Sequence, residues 1–169
     1  MRQKITTYLI LLGLLFGFNP LFGQTVVCET SSCTANDFTL ETFYLGDENG
    51  VQFTAGYCDP GDVVDAHLWA NFVANSAAPR YTLYLHFNIY VDGVYIGTVD
   101  ECYYEGQPIP TNVTLDVYQF AWDCGAQVTL SDYYMSWRPN ANQPCGCSNS
   151  KCYREGEIII EAPLIADFE

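Results

Sequence analysis

From residue 81 the chain alternates with a period of two. Tyr81, Leu83, Leu85, Phe87, Ile89 and Val91 hold one parity, and Thr82, Tyr84, His86, Asn88 and Tyr90 the other. That is the period of a strand with one buried and one wet face. It runs into Asp92-Gly93, a pair that tolerates the positive φ of a two-residue turn, and residues 94–99 follow as the partner strand. The same period recurs upstream, where Val64, Ala66, Leu68, Ala70 and Phe72 alternate with Asp65, His67, Trp69 and Asn71.

Weaker versions of the pattern complete the chain. Residues 37–45 form a first strand with Phe38, Leu40 and Phe43 inward, and residues 51–54 a short one. Val113, Leu115 and Val117 mark a strand ending near Trp122. In residues 126–137, Val128 and Leu130 keep one parity while Tyr133, Met135 and Trp137 keep the other, which a bulge near Asp132 reconciles. Residues 157–162 are the last strand; residues 103–110, with two prolines, and the cysteine-rich 140–153 read as loops. Residues 24–163 show no helical period. Seven or so strands at these spacings predict an all-β, antiparallel, immunoglobulin-like sandwich; a jelly roll or small barrel satisfies the same pattern.

The first residues change the picture. A basic start (Arg2, Lys4), an apolar run over 5–18 and a break at Asn19-Pro20 are the parts of a secretory signal peptide, with cleavage expected after Gly23. Removing residues 1–23 from 169 leaves 146, enough for one domain with its own core. It also leaves Arg80, Arg138, Lys151 and Arg154 as the only lysines and arginines, against 20 acids, a net charge of −16. Nucleic acid and anionic membranes repel such a chain, and no second apolar run offers a membrane insertion. Eight cysteines, all after the leader, read as disulfides in an exported protein.

If every connection reverses the chain, the loops sort into two ends. Cys58 and Cys124 fall alone at one end and are expected to pair. Cys28, Cys33, Cys102, Cys145, Cys147 and Cys152 share the other and form three bridges whose connectivity stays open. All four cations fall with those six. The opposite end collects Asp47, Glu48, Asn49, Asp59, Asp62, Asp92 and Asp123, and unscreened loop carboxylates of this kind suit a calcium ion, the one cofactor expected.

Catalytic patterns are missing. There is no GxSxG, HExxH or phosphate-cradling glycine loop, and no carboxylate pair is singled out by spacing. His67 and His86 hold outward parities and would form a metal pair only if their strands were neighbours. Trp69, Tyr84 and Tyr90 also stand on outward parities, where a core does not require them, and exposed rings suit stacking on sugars or anchoring a protein. The expectation is therefore no enzyme.

Several stretches together resemble a known kind of module. They are the leader end Phe22-Gly23-Gln24, the segment from Val91 to Tyr95 with Cys102 after it, and the run from Tyr118 to Cys124. Met135-Ser-Trp137, Cys145-Gly-Cys147 and Lys151-Cys152 complete the set. The chain resembles the N-terminal module of large secreted or cell-surface, adhesin-like proteins of gliding-type Bacteroidetes. The run Ala162-Pro-Leu-Ile-Ala-Asp-Phe168 resembles the entry into a PKD-type domain such as those proteins carry, with residues 164–169 as the exit segment. The resemblance implies a non-enzymatic adhesion or binding module, secreted or at the cell surface, whose partner is a protein or glycan there. A carbohydrate-binding domain using Trp69, Tyr84 and Tyr90 is the alternative.

Overall fold

Seven strands form because alternating apolar residues find two sheets to bury against each other. The computed structural model describes residues 27–161; the leader at 1–23 and the exit segment at 164–169 lie outside them. The strands are β1 (Phe38–Gly46), β2 (Val63–Ala74), β3 (Tyr81–Val91), β4 (Val94–Pro108), β5 (Asn112–Asp123), β6 (Val128–Arg138) and β7 (Cys152–Ile160). One sheet has the order β1-β2-β5 and the other β4-β3-β6-β7, with every pair antiparallel. This is an immunoglobulin-like sandwich in which the fourth strand stays hydrogen-bonded to the third instead of joining the β1-β2-β5 sheet.

The core follows the two strongest alternations. Leu83, Leu85, Phe87 and Ile89 of β3 are fully buried, as are Ala66, Leu68 and Ala70 of β2. Phe38 stacks on Phe72 at 5.7 Å and meets Trp137 edge-on, and Phe43 packs edge-to-face on Phe87 and Tyr133. Trp122 is fully buried and loses no hydrogen bond, since its Nε1 donates to the Ala126 carbonyl at 2.9 Å. The β3–β4 hairpin turns on Asp92 (φ 47°) and Gly93 (φ 76°), the left-handed pair that a two-residue turn demands.

Three boundaries differ from the sequence expectation. Residues 103–108 are strand, not loop: β4 runs on to Pro108, which pairs with Tyr81. Tyr104 and Gly106 bulge around Thr82, whose hydroxyl accepts from the Gly106 N–H, and an edge strand tolerates proline. Residues 51–54 form no strand, only a single bridge from Gln52 to Gly46. β7 starts at Cys152, five residues before the start expected at 157, and ends at Ile160.

Chain reversal gives the sandwich two unlike ends. At the end where β1 begins, Cys28–Cys147, Cys33–Cys152 and Cys102–Cys145 hold the N-terminal segment and the 139–151 loop to the sheets. All four cations are consumed there. Lys151 Nζ reaches Asp37 Oδ1 at 2.8 Å, and Arg138 donates to the carbonyls of Pro144 and Cys147. Arg80 donates to those of Asp37 and Ser76, and Arg154 to those of Val27 and Cys28. Burial raises the Asp37 carboxyl, but Lys151 and the Trp137 N–H outweigh it and leave it below the usual range. Cys58–Cys124 closes the opposite end.

The two sides also differ. Between β4 and β5 the sandwich is shut: the Tyr118 hydroxyl crosses from β5 to donate to the Ile96 carbonyl of β4 at 3.1 Å. A Cβ on Gly97 would lie 2.0 Å from that hydroxyl, so only glycine admits the ring. Between β1 and β7 the sheets come close at a few positions, and a groove lies between their edges. Gly97→Ala is expected to lower stability by about 1–3 kcal/mol, read as a drop in thermal midpoint. In a Tyr118→Ala background the same change is expected to be close to neutral; an undiminished cost there would contradict the contact.

Candidate outer-face binding site

The outer face of the four-stranded sheet gathers the polar parities of β3, β4 and β6. Tyr84, His86, Asn88 and Tyr90 run along β3, opposite Cys102, Asp100, Thr98 and Tyr95 of β4. The bulge in β6 sets the third column. Asp132 takes a left-handed φ of 54°, where β6 gains a residue against β3, so Tyr133 is turned into the core and Asp132 is aimed at Asn88.

Half of this face is covered. The 139–151 loop and the N-terminal segment lie over its clasped end: Tyr134, only 1% exposed, donates to the Ser148 carbonyl and accepts from the Ser148 N–H. The Ser136 hydroxyl donates to the Gly146 carbonyl, and the Arg154 guanidinium sits 5.6 Å above the Tyr134 ring. Cys102–Cys145 pins this cap to the edge strand β4. Tyr84 stands at the border, its ring tilted against Tyr134 at 6.1 Å.

Beyond the cap the open half is held together by its own hydrogen bonds. The Tyr84 hydroxyl donates to Asp100 Oδ1 at 2.7 Å, and His86 Nδ1 lies 3.9 Å from the same oxygen. Asn88 Nδ2 donates to Asp132 Oδ2 at 3.0 Å, an oxygen that also accepts from Ser131. Thr98 donates to Asn88 Oδ1 at 2.6 Å, which leaves the Tyr95 hydroxyl to donate to Thr98 at 2.8 Å. Tyr95 is also edge-on to Tyr90 at 5.8 Å. Burial, and then the hydrogen bond and charge of Asp100, push the Tyr84 hydroxyl well above the ordinary tyrosine value, so it stays a donor at any physiological pH. The Asp100 side chain remains 62% exposed, with lone pairs to spare. Chemically the surface offers ordered acceptors beside tyrosine rings.

The expected ligand set is split. Tyr84 and Tyr90 share this face, but Trp69 is on β2 in the other sheet and faces out on the opposite side of the molecule. Trp69 is not a free ring either. Its Nε1 donates to the Asp47 carbonyl at 3.0 Å, and it stacks on Tyr44 and His67 beneath the 46–51 turn. The histidine pair fails for the same reason: His67 and His86 lie on opposite sheets. His67, 9% exposed, is taken by Asp116 at 2.6 Å.

At the acidic end no three of the carboxylates of Asp47, Asp59, Asp62, Asp92 and Asp123 come within 4.8 Å of one another. Asp47, Asp62 and Asp92 each spend a carboxylate oxygen on a backbone N–H: Asp47 on Asn49 and Val51, Asp62 on Asp59, Asp92 on Gln127. The Asp47 and Asp62 bonds are turn caps, a common use of Asp in tight loops, while the Asp92 bond ties the β3–β4 turn to the segment before β6. Asp123 closes its own turn through its carbonyl, which accepts from Ala126. Among the described residues the one group of three or more possible ligands within 4.8 Å is Cys102, Glu105 and Cys145, and its two sulfurs are bonded to each other.

Sequence reasoning named Tyr84 and Tyr90 but missed Asn88, Tyr95, Thr98, Asp100 and Asp132. Asn88 was on the polar parity throughout, and Asp132 was the very position at which the parities demanded a bulge. No family model matches the chain, and no curated protein or solved structure matches it either. The class rests on the fold: an all-β, disulfide-stapled sandwich. Four disulfides belong to an oxidising compartment, and no helix among the described residues is long and apolar enough to cross a membrane.

Tyrosine carbon NMR across a pH titration tests the site's electrostatics. In Asp100→Asn the Tyr84 ionisation is expected to move down yet stay above the ordinary value, because burial remains. An unmoved Tyr84 titration would mean that the hydrogen bond to Asp100 does not form in solution.

Proposed function

We propose that this chain is a non-enzymatic adhesion or binding module, exported from the cell, that engages a protein or glycan at a cell surface through the open half of the tyrosine-rich face. The observation that carries the reading is the hydrogen-bonded array of Tyr84–Asp100 and Tyr95–Thr98–Asn88–Asp132. Side chains already held by one another lose little freedom when a partner arrives, which is the usual condition for a preformed binding surface. The leader supports export, and the resemblance to N-terminal modules of adhesin-like, PKD-containing surface proteins supports the adhesive role. Net charge argues against nucleic acid as the partner.

One observation favours a glycan within that reading. Asp100 is an exposed acceptor beside the Tyr84 ring, and a carboxylate next to an aromatic face suits sugar hydroxyls above and ring stacking alongside. A glycan array, paired with binding to whole bacterial cells, tests both levels. Tyr84→Ala and Asp100→Ala are expected to reduce the signal about tenfold or more, while Trp69→Ala leaves it unchanged in folded protein. Cell binding that persists with a silent array points to a protein partner. Binding that survives Tyr84→Ala and Asp100→Ala contradicts this face.

A further inference from the structure

The β1–β7 side of the sandwich carries a second surface, independent of the tyrosine face. β1 and β7 are edge strands there, each paired on one side only, and both run from the clasped end toward the acidic end. Their unpaired edges flank a groove of about 560 Å³. Its apolar lining comes from Leu40, Phe43, Ile158 and Ile160, of which Phe43 and Ile160 belong to the buried core. Its acidic lining is Glu41, Glu155, Glu157 and Glu161, and no lysine or arginine joins them. Ile159, 56% exposed, and Tyr153, 39% exposed, mark the same edge as unusually apolar for a surface strand.

An unpaired strand presents alternate N–H and C=O groups to any chain that lies beside it. We propose that this groove takes up an extended segment of a partner protein, with basic and apolar residues alternating, as a strand added along β7. The period of two puts the apolar side chains of such a segment over Leu40 and Ile158 and its cations against the glutamates. The same glutamates disfavour the other occupants. A second copy of the chain, itself strongly acidic at a net charge of −14, is repelled by an acidic groove. The chain's own residues 162–169 carry Asp167 and Glu169, no cation, and Pro163, which has no N–H to give. Edge carboxylates that prevent self-association therefore also select a cationic partner.

The test titrates the chain with a peptide as long as β7 in which lysine and valine alternate, following heat and the hydrogen exchange of residues 153–161. Binding is expected, with protection along β7 and an affinity that falls as salt rises; a glutamate–valine peptide is expected to give none. Two further peptides carry N-methyl groups, one on every lysine nitrogen and one on every valine nitrogen. Strand addition predicts that one of them loses at least about tenfold in affinity and the other binds, because a strand uses alternate amides. The triple variant Glu41→Gln, Glu157→Gln, Glu161→Gln is expected to bind about tenfold more weakly with its thermal midpoint unchanged. Tyr84→Ala is expected to leave peptide binding intact, so failure here and failure of the tyrosine face are separable. A silent lysine–valine peptide overturns the proposal, as does equal binding of both methylated peptides. So does protection, in the free chain, of those amides of residues 153–161 that point away from β6, which would make its own tail or a second copy the occupant.

Discussion

One end of this sandwich is a covalent clasp, and the remaining surface is organised by what that clasp uses up. Cys28–Cys147 and Cys33–Cys152 each join residues 119 positions apart, tying the start of the domain to the 139–151 loop and to the first residue of β7. In the chain-entropy picture, closing a loop of that length is worth about 4–5 kcal/mol. The two loops overlap, 28–147 interleaved with 33–152, so their effects do not add. The irregular segments 27–36 and 139–151 have no sheet of their own; disulfides and arginine-to-carbonyl bonds replace the ladder hydrogen bonds they lack.

Charge follows from the same arrangement. Every lysine and arginine of the described residues lies in the clasp, holding carbonyls or Asp37, so the sheets' edges and the far loops are left to the acids. At the far loops those acids cap turns or tie one loop to another; beside β7 they line a groove. On the outer face Asp100 and Asp132 are built into a hydrogen-bonded array with tyrosines. The β4–β5 side is bridged at Gly97 and Tyr118, while the groove lies on the β1–β7 side.

Much of the fold was legible because burial enforces a period of two. The strands at 64–72 and 81–91, the Asp92-Gly93 turn and the parity break at Asp132 all stand in the structure where alternation puts them. Direction reversal separated Cys58 and Cys124 from the other six cysteines, and the disulfides divide the same way. Parity, however, tells inside from outside and not one sheet from the other. Trp69 and His67 therefore joined Tyr84 and His86 on paper, although β2 and β3 belong to different sheets. The far half of β4 was hidden by Gly106 and Pro108, residues that an edge strand absorbs in a bulge. The cap over Tyr134 had no pattern to find, since irregular loops carry no period.

The two-ended arrangement is tested most directly by mapping disulfide-linked peptides from the unreduced protein. Four links are expected: Cys28 to Cys147, Cys33 to Cys152, Cys58 to Cys124 and Cys102 to Cys145. A link from Cys58 or Cys124 to any of the other six would break the alternation of direction on which the clasp, the capped face and the β1–β7 groove all depend.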